Sequence, residues 1–125
     1  MKSAINNTII RFGFDLHSTV EIFEIPEGAE ILTFGCDSMR AGLPTVWFAC
    51  KIDMKNEKRV FVRLQTGQES PYTPTDLHYI GTAVALGKSN TNAALSMTPR
   101  TVFYFEATGD TKDLLVQLHE AVVEA

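Results

Sequence analysis

Short runs of alternating apolar and polar residues, turn-rich connections between them and a single terminal segment of helical periodicity predict a mainly β domain. The expected architecture is an antiparallel sheet or small sandwich of about six or seven strands with one C-terminal α-helix. With 125 residues the chain has room for one core, so residues 1–125 are expected to form a single domain.

The first strand is expected from Thr8 to Asp15, with Ile10, Phe12 and Phe14 on one face and Ile9, Arg11 and Gly13 on the other. The second, Val20 to Ile25, stops at Pro26, which cannot donate to a ladder and opens a turn with Glu27 and Gly28. The third, Glu30 to Cys36, sets Ile31, Thr33 and Gly35 against Leu32, Phe34 and Cys36, and a turn-rich stretch, Asp37 to Pro44, follows it. In the fourth, Thr45 to Asp53, Val46, Phe48, Cys50 and Ile52 alternate with Trp47, Ala49 and Lys51.

The polar segment Met54 to Lys58 reads as a hairpin loop into a fifth strand, Arg59 to Gln65. Val60, Val62 and Leu64 are expected to face the core, and Arg59, Phe61, Arg63 and Gln65 to face outward or into a groove. Two prolines and a glycine make Thr66 to Asp76 a loop, and the best candidate for a functional one. A sixth strand, Leu77 to Leu86, leads into Gly87 to Pro99, which lacks periodicity and reads as an exposed excursion. The seventh, Thr101 to Ala107, is apolar on both faces and therefore central. In the closing helix, about residues 110–124, Asp110 is the expected N-cap, Asp113 lies in the first turn, and Leu114, Leu115, Leu118 and Val122 form one stripe. That stripe either seals a sheet face or docks on a neighbouring subunit.

Composition narrows the function classes. Apolar residues at 45% and charged residues at 21% are globular values that argue against disorder, and no apolar run is long enough to span a bilayer as a helix. The opening residues lack an apolar signal-peptide core, so a cytosolic location is expected. A net charge of −4 argues against extended nucleic-acid binding but leaves room for a small anion in a local basic pocket. Cys36 and Cys50 are expected as reduced, mostly buried thiols on neighbouring strands. Neither a metal nor a cofactor is expected, since the two thiols have no nearby ligand partners and His17, His78 and His119 are far apart in the chain.

No phosphate loop, nucleophile elbow or zinc motif is present, so no catalytic residue is assigned. The residues least like plain scaffold are Trp47, Arg59, Phe61 and Arg63, the turn of Thr66, Gly67 and Gln68, then Tyr72, and Tyr79 with Gly81 and Thr82. Cationic Arg side chains suit a phosphate or carboxylate, glycines let backbone amides approach it, and aromatic planes suit a base. If these residues meet where the fourth, fifth and sixth strands approach the Thr66 to Asp76 loop, they would hold a nucleotide-like anion. Each also has a purely structural reading: Arg63 paired with a cross-strand carboxylate, Trp47 in the core, Gly81 at a bulge.

The ordered segments IPEGAEILTFG from Ile25, PTVWFACKID from Pro44, RVFVRLQTGQ from Arg59, LHYIGTAV from Leu77 and TVFYFEA from Thr101 resemble an uncharacterised family of small bacteriophage proteins. The resemblance spans about Phe23 to Ala107 and implies a phage origin and a compact β domain, with no activity attached. Its recurring features fall on Pro26, Gly28, Ala29, Trp47, Phe61, Thr66, Gly67, Gly81, Thr82 and Phe105. Where typical members carry a Gly-Thr-Gly-His-like turn, this chain has Gln65, Thr66, Gly67 and Gln68, so no histidine can act there. The leading strand, the Gly87 to Pro99 excursion and the terminal helix read as additions suited to subunit contacts.

The expected function is that of a non-enzymatic phage accessory protein in the host cytoplasm. It would bind either a host protein or a small anionic, nucleotide-like defence signal, and a homo-oligomer is expected. The alternative is a virion component such as a capsid decoration protein.

Overall fold

Alternation becomes layered structure once each strand finds a partner for its apolar face. A computed structural model describes residues 7–15, 18–40, 42–88 and 97–124. Among them are strands β1 (Asn7–Gly13), β2 (Val20–Pro26), β3 (Glu30–Asp37), β4 (Leu43–Lys51), β5 (Asn56–Gln65), β6 (Leu77–Lys88) and β7 (Met97–Ala107), followed by helix α1 (Gly109–Glu124). The strands form two antiparallel sheets, one ordered β1-β4-β3 and the other β2-β5-β7-β6. The fold is thus mainly β with one C-terminal helix, and β7 is central in its sheet.

The facing surfaces of the two sheets meet in a core built largely of rings. Phe14, Phe48, Phe61 and Tyr104 are almost fully buried there with Ile25, Val46 and Val102. Ring centroids lie 4.6 Å apart for Phe14 and Tyr104, 5.7 Å for Phe14 and Phe61 and 6.2 Å for Phe48 and Phe61, the range in which aromatic pairs attract beyond their area burial.

Phe61 corrects the expectation for β5. Its neighbours Val60 and Val62 are also buried, in a second cluster with Ala107, against which Leu115 and Val116 of α1 pack. Strand β5 is covered on both faces, by the other sheet on one side and by α1 on the other. Alternation identifies two faces but cannot say that both are buried.

Four further expectations change. The segment after β4 is a crossing from one sheet to the other, because β4 and β5 belong to different sheets. In β3 a bulge between Ile31 and Thr33 breaks the alternation, so Ile31 and Phe34 both pack on the core while Leu32 is exposed. Strands β6 and β7 extend into the expected excursion and pair as far as Lys88 with Met97, and the remainder of the excursion lies outside the described residues, as does His17. Cys36 is exposed, not buried, and Cys50 is buried; both thiols are free. Although β3 and β4 are neighbours, Cys36 stands opposite Pro44, at the far end of β4 from Cys50.

Helix α1 also starts differently from the expectation. It begins at Gly109, and the capping carboxylate comes from outside it. Asp76, at the end of a 3-10 turn (Pro74–Asp76), accepts hydrogen bonds at Oδ2 from the Thr111 amide (3.2 Å) and the Thr111 hydroxyl (2.8 Å). The Asp76 carbonyl accepts from the Thr108 amide at 2.8 Å. A carboxylate at a helix N-terminus satisfies an otherwise unpaired amide and opposes the helix dipole, so the long loop fixes where α1 starts.

Candidate functional site

The fold scatters the residues whose chemistry suits an anion site. Strand β5 turns Arg59, Phe61 and Arg63 toward the other sheet, with Phe61 in the core between the two cations. Arg59 donates to Glu106 from Nε (2.6 Å) and Nη2 (2.7 Å) and to the Ala29 carbonyl from Nη1 (2.6 Å), and its guanidinium lies 5.0 Å over the Phe48 ring. Both partners of the ion pair are largely buried, with side chains 13% and 14% exposed. These directions are already used within the fold.

Arg63 lies at the opposite end of the sheet interface. Its amide donates to the Thr19 carbonyl at 2.8 Å, and it sits among Glu21, Tyr104 and, through Tyr104, Cys36. Burial raises the Glu21 carboxyl above its ordinary 4.5, opposed by the hydrogen bond it accepts from the Asp15 amide (2.8 Å) and by the Arg63 charge. Burial likewise pushes the Tyr104 phenol above 10, and Arg63 partly offsets it.

Trp47 belongs to the other sheet, on β4 between Arg11 of β1 and Thr33 of β3, and is half-buried. Since Val46 and Phe48 point into the core, Trp47 points out of the opposite face of the molecule from α1. Gly67, at φ +84°, is the third residue of a turn closed by the Gln68 amide on the Gln65 carbonyl (3.0 Å). The nearby amides serve the fold: Thr66 donates to the Thr101 carbonyl (3.1 Å) and Gln65 to the Gln68 side chain (3.0 Å). Gly81 faces Phe34 so closely that a Cβ there would lie 2.1 Å from the ring. Its role is to let β3 and β6 approach each other.

Tyr79 is exposed, hydrogen-bonded to the Thr82 hydroxyl and edge-on to Phe105 at 5.9 Å on the outer side of the four-stranded sheet. Tyr72 packs against the Val60, Val62 and Ala107 cluster, and burial raises its phenol above the ordinary 10. It borders a hollow of about 360 Å³ between its loop and the start of α1, with Asp76, Asp110 and Leu114. The sequence-selected residues therefore divide among the core, the two outer faces and one turn.

What does assemble is an apolar groove. Helix α1 docks through Leu115 and Val116, which leaves Leu114, Leu118 and Val122 exposed at 55%, 54% and 75%. Leu118, Val122, Leu115 and His119 form one wall of a groove of about 350 Å³, and Val20 and Ile22 of β2 form its other wall. The helical spacing of the stripe was visible in the sequence. The part played by Val20 and Ile22 was not, since it depends on β2 lying at the sheet edge beside α1. A third hollow, of about 390 Å³, lies by the Glu27 to Glu30 turn and is lined by Lys51, Cys50 and Met54 as well as those glutamates.

A domain of unknown function, DUF7352, matches residues 5–91. The chain belongs to that family. The DUF7352 match begins before β1, so the leading strand is part of the family domain and not an addition to it. It ends before β7, so TVFYFEA and α1 lie beyond the matched residues even though β7 is central to the sheet. No curated protein and no solved structure matches the chain.

Proposed function

We propose that this DUF7352 protein is a non-enzymatic accessory protein of a bacteriophage that acts by binding a protein surface, with the α1/β2 groove as its binding face. The observation that carries the reading is the open apolar groove, with two large side chains of α1 in its wall, Leu118 and Val122, more than half exposed. Exposed apolar surface gathered around a groove is costly in water and is characteristic of interaction sites. The phage setting rests on the resemblance of the five quoted segments. Protein binding is favoured over capture of a small anion because the cations of β5 are engaged within the fold: Arg59 with Glu106 and Ala29, Lys58 with Glu120, and Arg63 beside Glu21.

The test is crosslinking capture from phage-infected cells with the wild-type protein and with Leu118→Glu, a change at an exposed position. A host protein held by the wild type and lost from an equally stable Leu118→Glu variant supports the reading. Equal capture by both overturns it. Native mass spectrometry that finds a small anion, displaced by Arg63→Ala but not by Leu118→Glu, would restore the anion reading. High copy number in purified virions would favour decoration.

A further inference from the structure

We propose that the α1/β2 groove takes an extended peptide segment of another protein, which adds to β2 as a fifth strand of the four-stranded sheet. Its apolar side chains would alternate, and a Lys or Arg would lie at the end beside Glu24. This inference rests on the protein-binding reading above and names the class of partner.

The first argument is the parity of the ladder. In an antiparallel pair, residues alternate between those that bond the partner strand with both backbone groups and those whose backbone groups point away from it. The Arg63 amide donates to the Thr19 carbonyl, which places Thr19 in a bonded pair and, two residues at a time, Glu21, Phe23 and Ile25 after it. Val20, Ile22 and Glu24 therefore direct their amides and carbonyls toward the open edge. Strand β2 is terminal in its sheet, and among the described residues no other strand pairs with it.

The second argument is coincidence of position. Val20 and Ile22, whose backbone groups face the open edge, are also the residues whose side chains line the groove beneath α1. A chain added along β2 would complete its own hydrogen bonds and place every second side chain against Leu118 and Val122. A strand edge beside a helix wall is a geometry used for peptide capture by strand addition, where the backbone supplies affinity and alternate pockets supply specificity. Strand β2 has no lysine and its proline is the last residue, so its only edge charges are the carboxylates of Glu21 and Glu24, which would repel an acidic strand and admit a basic one.

Charge selects the occupant. Glu24 is exposed and stands opposite Lys58, which also pairs with Glu120 of α1 at 3.2 Å. Lys58 is engaged by Glu120, and among the described residues Glu24 has no ion pair of its own, which leaves a negative balance at that end for a basic residue to offset. A second copy of this chain pairing through β2 would bring no Lys or Arg to the patch, because that strand has neither. A helical occupant would leave the edge amides of β2 unpaired.

The experiment selects binders from a phage-displayed library of random linear peptides and follows an enriched synthetic peptide on the isotope-labelled protein by NMR. The expected sequences alternate apolar residues and carry Lys or Arg at one end. Bound peptide should protect the Val20, Ile22 and Glu24 amides from exchange, and affinity should fall about tenfold or more in Leu118→Glu, since a charge would then sit in the apolar groove. Glu24→Lys should abolish the preference for a basic residue.

Failure to enrich any peptide, enrichment of helical peptides, or binding without protection of those amides would overturn the inference. So would the same protection arising by dimerisation without peptide, seen as a doubled mass in light scattering. If Leu118→Glu loses its captured host protein while peptides leave β2 unprotected, strand addition fails and the binding reading stands. If capture is indifferent to Leu118→Glu, the binding reading itself fails.

Discussion

The Arg59 guanidinium holds the Glu106 carboxylate with two hydrogen bonds of 2.6 and 2.7 Å, while its remaining Nη1 donates to the Ala29 carbonyl. One side chain on β5 thereby joins β7 to the turn that leads into β3, linking the two sheets at one end of the sandwich. Gly28, at φ +82°, and Ala29 have a structural role in this arrangement. The turn must present the Ala29 carbonyl to Arg59.

Arg59→Ala should therefore destabilise the fold, by about 3–5 kcal/mol, the range for removing one partner of a buried ion pair and leaving the other uncompensated. Urea unfolding measures this directly. A loss under about 1 kcal/mol, the scale of an exposed pair, would show that the bridge does not hold the sheets together.

Gly81→Ala should lower stability by about 1–3 kcal/mol, because the added methyl would collide with the Phe34 ring, itself packed 5.0 Å from Tyr104. A double-mutant cycle with Phe34→Ala isolates the cause: the cost of Gly81→Ala should largely vanish when the ring is absent. An undiminished cost in that background would place the strain in the β6 backbone instead.

Glu21 predicts a pH dependence of defined sign. Burial raises its folded carboxyl above 4.5, so ionisation is harder in the folded than in the unfolded chain. Its contribution to stability is greatest in the protonated form and is lost as pH rises from 4.5 through the raised folded value. Glu21→Gln, which keeps an oxygen for the Asp15 amide, should flatten stability between those two values and increase it at neutral pH. Denaturant midpoints across pH for both proteins provide the check, and a less stable variant at pH 7 would mean that attraction to Arg63 outweighs desolvation.

The cysteines should differ sharply in reactivity. Cys36 is exposed and should be modified at once by a thiol reagent in the native protein, whereas Cys50, 5% exposed on β4, should react only on opening of the fold. Mass spectrometry of peptides after a brief pulse distinguishes them. Rapid labelling of both would show that β4 opens readily.

The sequence by itself determined the strands, most of the turns and the helix. Val46, Phe48 and Cys50 alternate at the strand period, Pro26 with Gly28 ends β2, and Leu114, Leu118 and Val122 repeat at the helical period. These are local properties, set by backbone geometry and by spacing along the chain. Only the tertiary structure decided that β4 and β5 lie in different sheets, that Phe61 is core and that Arg59 is occupied by Glu106, and only it placed Val20 and Ile22 beside α1. Each of those depends on which distant segments pair, and a period of two reads the same whether a face meets solvent, a second sheet or a helix. The groove is thus visible in the sequence only as an apolar stripe, because its other wall belongs to a strand some ninety residues earlier, brought alongside by the pairing of β2 with β5.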